Sequence, residues 1–412
     1  MTPSAAASCI IPRWATRNPS LLSGRRRMMK LLCRAALLGV SAATCDYGEV
    51  CESGESLNLL QTYVRVVRGE RHTGAKGRGE AADVAECLDG REIITDPAAV
   101  HAVWASNYGQ AEGLKASIAS AIDATSVPLV AHILVQKTLE ADFQRFLGLA
   151  PGCRNARLGG RATLRLHEID DALVARARPT MPAWVLRTRG QLDAIENYAR
   201  FYMHKLIPGL KVAVYLDADT IIQSDLAQLR EEFIASNRTI GFASRRRLHT
   251  MSKFLVRSHP CNFSTPEKWK KLLDMPAYNV GVYVVDVERW ARLHLSERIE
   301  GIVRRHNACG GNLWRGGSQP PLLMALYIAK DGLAQDFHVF DAAWNVADLG
   351  WRTGLFHGEL DSAKILHWNG RGKPWGPSGN YSPRWRPHRE RYDILLRASR
   401  GRGSAADPAP II

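Results

Sequence analysis

Residues 211–226 read KVAVYLDADTIIQSDL, an apolar run closed by two aspartates one residue apart. Two carboxylates side by side repel unless a proton or a cation lies between them. In extended chain the side-chain period of two sends Asp217 and Asp219 the same way, and hard oxygens of this kind suit Mg²⁺ or Mn²⁺. A second stretch, KILHWNGRGKPW at 364–375, ends an apolar run with His367, whose imidazole is acceptable to Mn²⁺ and less so to Mg²⁺. Behind it, Gly370 and Gly372 let backbone N–H groups approach an anion, and Lys373 offers a point charge for phosphate. A third stretch, AYNVGVYVVDVERW at 277–290, opens a strand with Asn279, an amide that can donate to and accept from hydroxyls. Singly, each has a plain reading: an accidental acid pair, a surface turn with a core histidine, a turn-forming asparagine. Together they describe a divalent cation carrying a diphosphate.

The elements that must position these residues alternate. AVHAVWASN (99–107), VPLVAHILVQ (127–136), ATLRLHEI (162–169) and KVAVYL (211–216) read as strands, as do RTIGFAS (238–244) and NVGVYVVDV (279–287). GLKASIASAID (113–123) places Leu114, Ile118 and Ile122 on one helical stripe. QLDAIENYARFYMHKLI (191–207) predicts one continuous helix, stopped by Pro208-Gly209, and QPPLLMALYIAK (319–330) a helix with proline at its start. Strands apolar on both faces, alternating with helices, predict an α/β domain whose mostly parallel, Rossmann-like sheet is covered by helices on both sides. Ligands of such sheets sit beyond the carboxyl ends of the strands, where Asp217 and Asp219 lie.

Composition bounds the rest. The 412 residues are 46% hydrophobic and 23% charged, and the net charge is +15. Residues 1–45 hold seven Lys/Arg and no acid; residues 371–402 hold nine Lys/Arg and two acids, so the body between is nearly neutral. That excludes nucleic acid as the main partner, which would call for a basic face across the domain. Basic ends suit a membrane flank, an acidic saccharide or solubility. The start, RRRMMKLLCRAALLGVSAATC, has the parts of a signal peptide or signal anchor (1–45), which places the chain in the secretory pathway, with an organelle address as the alternative. Sequons at Asn237, Asn262 and Asn380 lend slight support. Residues 46–95 read as an irregular stem, 96–395 as a single catalytic domain and 396–412 as a disordered tail. The eight cysteines show no metal-ligand spacing. Cys45 with Cys51 and Cys261 with Cys309 are candidate bridges; free buried cysteine is the default.

Five stretches in this order, ENYARFYMHKLIPGLKVAVYLDADTIIQSDL, YNVGVYVVDVERW, GGSQPPLLMALY, DAAWNV and HWNGRGKPW, resemble glycosyltransferase family 8, and more closely its plant-type galacturonosyltransferase and galacturonosyltransferase-like branch. The resemblance spans residues 98 to 390. It implies a GT-A fold, a UDP-sugar donor, manganese (Mn²⁺, with Mg²⁺ as the alternative) and transfer of a hexosyl or hexuronosyl group to a saccharide acceptor with retained anomeric configuration, in a Golgi lumen that builds cell-wall or glycan polysaccharide. It implies that Asp217, Asp219 and His367 ligate the metal, and that Gly370 and Lys373 hold the diphosphate. Arg200 would lie near the donor, and Ala105, Ser106, Asn107 and Ala218 would contact the nucleotide. Asn279 and Gln319 would contact the donor sugar, Gln319 near the reacting carbon. Departures are Ser106-Asn107 where the family's first strand ends in an acid, Ser318 where bacterial members carry Asp, and the run Arg245-Arg246-Arg247, which would suit a carboxylate-bearing sugar. Two rival readings stay open: a glycogenin-like self-glucosylating enzyme, and a non-catalytic UDP-sugar-binding protein.

Overall fold

The computed structural model describes residues 85–88, 98–245, 249–258, 261, 263–328, 336–377 and 379–399. The signal or anchor at 1–45, most of the stem, Cys45, Cys51, Asn262, Arg246 and Arg247 lie outside the described residues. No described helix is long and apolar enough to cross a membrane.

The described residues form ten strands: β1 (Val100–Ala105), β2 (Leu129–Gln136), β3 (Asn155–Leu158), β4 (Ala162–Ile169), β5 (Val212–Leu216), β6 (Thr220–Ile222), β7 (Ile240–Ala243), β8 (Val282–Asp286), β9 (Phe337–Phe340) and β10 (Ile365–His367). Eight make one sheet in the order β3-β4-β2-β1-β5-β8-β7-β9. β1 runs parallel to β2 and β5, β2 to β4, and β7 to β9. Only β3 and β8 run against the rest. This mostly parallel GT-A-like sheet is the expected fold class, with β3 and β8 the antiparallel exceptions.

Both faces of the sheet are buried, as the uninterrupted apolar strands require. In β1, Val103 and Ala105 point into one core; Val100, Ala102 and Trp104 point into the other. β5 divides the same way, Ala213 and Tyr215 against Val214 and Leu216. The longer helices include α1 (Ala111–Ala124), α2 (Leu226–Ser236), α3 (Leu295–Ala308), α4 (Gln319–Tyr327) and α5 (Ser382–Ala398). α1 and α2 cover the Trp104 side; α3 and α4 cover the Tyr215 side. A third, smaller core lies under an antiparallel ribbon of β6 and β10, where Ile221 and Leu366 pack with Trp368 and Trp385.

Four sequence expectations need correction. Residues 191–207 are not one helix but short pieces, Glu196–Ala199, Arg200–Tyr202 and Met203–Leu206, the middle one a tighter 3₁₀ turn. The cause is Arg200, whose guanidinium turns inward and whose Nε donates to the Asn197 carbonyl at 3.0 Å. The folded domain starts before residue 96: Ala85 and Leu88 donate to the carbonyls of Gly148 and Asn155. It also ends after 395, because α5 continues to Ala398 with Leu396 and Ser399 buried. Finally, cysteine is not free by default: Cys261 bridges Cys309 as the sequence allowed, and Cys87 bridges Cys153, a pairing 66 residues apart that it did not suggest.

Candidate active site

The carboxyl edge of β5 and the ribbon beside it assemble the site. Asp217 and Asp219 do not share a face through extended geometry, as expected from their spacing. The strand stops at Leu216 and Asp217–Asp219 turn before β6 begins. The turn is pinned from inside. Trp104 donates through Nε1 to Ser117 Oγ (2.9 Å), Ser117 pairs with Thr220 Oγ1 (2.9 Å), and Thr220 donates to the Asp217 carbonyl (2.8 Å). α1 comes near enough to carry Ser117 because Gly113 lacks a side chain; a Cβ there would lie 2.6 Å from the Ala218 carbonyl oxygen.

The ribbon brings in the histidine from 150 residues along the chain. His367 pairs with Thr220 across β6 and β10, and the Trp368 N–H donates to the Asp219 carbonyl at 2.9 Å. As a result His367 Nε2 lies 3.2 Å from Asp219 Oδ1 and 3.6 Å from Asp217 Oδ2. One ligand atom from each of Asp217, Asp219 and His367 fits within 4.8 Å of the others, the one such trio among the described residues.

The proton on His367 is assigned by a chain of amides. The Gly281 N–H donates to Asn279 Oδ1 (2.9 Å), which fixes that amide's orientation. Asn345 must then present Nδ2 to Asn279 Oδ1 (3.0 Å), which leaves its own Oδ1 facing His367 Nδ1 at 3.0 Å. A carbonyl oxygen only accepts, so Nδ1 carries the hydrogen and Nε2 turns toward the carboxylates. Nε2 and Asp219 Oδ1 are both buried without a hydrogen-bond partner in the protein. Such orphans are rare in native structures and ask for an explanation. A donor set of two carboxylate oxygens and one imidazole, two of its atoms otherwise unsatisfied, fits a divalent cation.

Positive charge surrounds this trio. Lys373 donates to Asp219 Oδ2 and, at 2.9 Å, to the Trp368 carbonyl. Burial disfavours the charge on Asp219, but the Lys373 ammonium beside it pulls the other way, and the carboxyl is held below the usual range. Arg200, 3% exposed, donates to Asp217 Oδ1 (3.0 Å) and to the Val280 carbonyl (2.7 Å), with its guanidinium 4.3 Å from the Tyr215 ring centre. Its expected place near the donor is therefore a place behind Asp217. Gly281 closes the floor: a Cβ there would strike Asp217 Oδ2 and His367 Cε1 and lie 2.9 Å from His367 Nε2.

Other expected residues fare differently. Gly370 has φ +124°, a backbone only glycine takes readily, and packs against Trp351. The Gly372 N–H is spent on the Gly350 carbonyl at 2.9 Å, so it is not free for an anion. Asn279 Oδ1 accepts from the Gly281 N–H and from Asn345 Nδ2. Gln319 starts α4 half-buried, its Nε2 buried without a partner. Ala105, Ser106 and Asn107 leave β1 at the same edge at which Asp217 leaves β5, since the two strands are parallel; Ser106 is fully buried. Ala218 is buried in the acid turn. Arg245, at the end of β7, is half-buried with Nε unpartnered; burial lowers its pKa against the opposing pull of Asp348. Sequence reading passed over Asn345, Thr220, Ser117 and Gly281. DAAWNV and NVGVY contain two of them, yet nothing in an amide's or a glycine's local context announces a role in orienting a distant ring.

The family model described as "Glycosyl transferase family 8" matches residues 101–378. The chain belongs to glycosyltransferase family 8. Its family 8 relatives include "Glycosyltransferase 8 domain-containing protein 1" of Homo sapiens, 30% identical over 204 residues, 46% of this chain and 53% of that one. They also include "Probable galacturonosyltransferase-like 10" of Arabidopsis thaliana, 24% identical over 295 residues, 69% of this chain and 73% of that one. The match spans about half the length of the animal relatives. A crystal structure of the galactosyltransferase LgtC with donor and acceptor sugar analogs aligns at 16% identity and TM-score 0.46, over 72% of this chain and 95% of that one.

Proposed function

We propose that this family 8 chain transfers a hexosyl or hexuronosyl group from a UDP-sugar to a saccharide acceptor, with retention, in a Mn²⁺-dependent reaction. The observation that carries the reading is the trio Asp217, Asp219 and His367, with two orphaned ligand atoms converging beside Lys373. A cation held there would supply Lewis-acid neutralisation of the diphosphate leaving group. Lys373 adds fixed positive charge at the same place, already oriented by Asp219 and the Trp368 carbonyl. Arg200 holds Asp217 in place, and Asn345 holds His367. Gln319 Nε2, a donor without a protein partner, suits a sugar hydroxyl. Because Gln319 is an amide and a poor nucleophile, retention is best served by attack from the face that the leaving group vacates.

Two features favour a hexuronosyl donor and the plant-type branch: the half-buried Arg245 with an unpartnered Nε, and the galacturonosyltransferase-like relative that aligns over more of the chain than the animal ones do. A secretory, Golgi-lumenal location is supported by two disulfides, which persist in oxidising compartments. The exposed Asn237 sequon agrees with it, whereas the Asn380 side chain is engaged with the Leu349 carbonyl.

The test is UDP release from a panel of UDP-sugars with Mn²⁺, with and without EDTA. One donor should be consumed, and chelation should stop it. Asp219→Ala, with the fold verified by circular dichroism, should cost about 4 kcal/mol of barrier, roughly a thousandfold in rate. Near-normal transfer by that variant defeats the reading. Tight UDP binding without turnover would make the chain a UDP-sugar-binding protein instead.

A further inference from the structure

The loop that follows the His367 strand's neighbour displays two large apolar side chains to solvent: Trp351 is 62% exposed and Phe356 80% exposed. A single exposed aromatic needs no explanation. Here the setting supplies one. Trp351 stands on a segment tied to the metal-site loop: Leu349 N–H donates to the His367 carbonyl (3.3 Å) and Gly372 N–H to the Gly350 carbonyl (2.9 Å). Asn369 Nδ2 donates to Asp348 Oδ1 (2.9 Å), and Asn380 Nδ2 to the Leu349 carbonyl (3.0 Å). Gly350 itself is wedged against the carbonyls of Trp368 and Asn369, where a Cβ would sit 2.8 and 2.9 Å away. The pyrrole edge of the indole rests on Gly370, whose absent Cβ would be 2.7 Å from Trp351 Cδ1 and Nε1. The ring thus rests on Gly370, three positions along the chain from the candidate ligand His367, with its remaining surface in water.

We propose that Trp351, with Phe356 on the same loop, is the stacking platform for a pyranose ring of the acceptor saccharide. The proposal rests on the site reading above and extends it to the second substrate. A pyranose presents one face of C–H groups and a rim of hydroxyls. An aromatic ring accepts that apolar face while nearby polar groups meet the rim. Arg352 on the same loop and His357 at the start of the short helix that follows it, both exposed, supply such groups. Little ordering entropy remains to be lost, because the loop's bonds to the His367 segment already fix it.

The test uses the full chain and calorimetric titration with four tetrasaccharides: β-1,4-glucose, β-1,4-galactose, α-1,4-galacturonate and β-1,4-xylose, each with and without UDP and Mn²⁺. At least one should bind. Trp351→Ala should weaken that binding about tenfold or more, Trp351→Phe should restore most of it, and UDP affinity with Mn²⁺ should stay unchanged in both. In a transfer assay the same loss should fall on the acceptor KM and leave kcat. Wild-type saccharide affinity in Trp351→Ala overturns the proposal, as does binding of UDP with Mn²⁺ but of no saccharide. Self-association of the wild type that Trp351→Ala abolishes would give the ring a second copy as its occupant and also overturn it. Saccharide binding that depends on Trp351 while UDP and Mn²⁺ fail to bind would leave the platform standing and defeat the donor-site reading.

Discussion

Asn279, Asn345 and His367 form a line in which a backbone N–H, that of Gly281, decides which nitrogen of a distant imidazole is free. Partners behind a metal-ligating histidine fix its tautomer and aim, and their loss costs about 10–100-fold in affinity or activity. Asn345→Ala should therefore weaken Mn²⁺ binding by about that factor while Asp217 and Asp219 stay in place. Calorimetry or Mn²⁺ relaxation enhancement reads this directly, and unchanged affinity would make Asn345 a bystander. At this scale the sequence shows the candidate ligands and hides their supports. Paired aspartates and a histidine before a glycine turn carry chemistry in their types. Asn345 could have been any asparagine, and its meaning lies in a 3.0 Å contact to a residue 22 positions away.

Strand pairing creates a second arrangement that no motif advertised. His101 on β1, His132 on β2 and His167 on β4 form a row, with ring nitrogens 2.9 Å apart at both steps. Burial, then Arg165 and Arg154, pushes His167 down to about 4; His132 is driven well below its usual value by burial, then by His167, His101 and Arg165. His101 is lowered by burial, Arg165 and Arg230. A histidine with a lowered folded pKa binds fewer protons folded than unfolded between that value and about 6.5, so stability rises with pH across this window. Acidification from pH 6.5 to 4 should then cost up to about 1.4 kcal/mol per pH unit through His167, and His132 and His101 act in the same direction. The melting temperature should fall over that range, and His167→Gln should make the fall shallower. A flat profile in the wild type would contradict the row. The elements themselves were largely legible: the core strands of the sheet follow from apolar runs, and α1 from its stripe. The 191–207 segment was not, because its periodicity is helical while Arg200's inward bonds break the helix. α5 was obscured by its charge and by Pro387 within it.

Across the whole domain, long-range links close the sheet's edges. The Cys87–Cys153 bridge ties the leading segment to the β3 side, and removal of such a bridge costs about 2–4 kcal/mol. Cys153→Ser, or a chain begun at residue 95, should melt several degrees lower than the longer oxidised chain, as scanning calorimetry would show; equal melting would make the bridge incidental. At the other end, the basic residues of α5 are struts. Arg391 pairs with Asp123 (2.9 Å), Arg389 with Glu112 and Asp393, and Arg384 with Asp361 (2.6 Å). The positive surplus of the C-terminal region is therefore partly spent on holding α5 against α1, which explains why charge counting alone points to no partner.

By itself the sequence determined the fold class, the family and the candidate ligand types, because apolar periodicity and chemically distinctive side chains are local properties. Only the folded chain decided that the acid pair meets on a turn, that the histidine arrives by strand pairing, which of its nitrogens is bare, and which amides and glycines make room. Those outcomes depend on distances between residues far apart in the chain, and no local pattern encodes a distance.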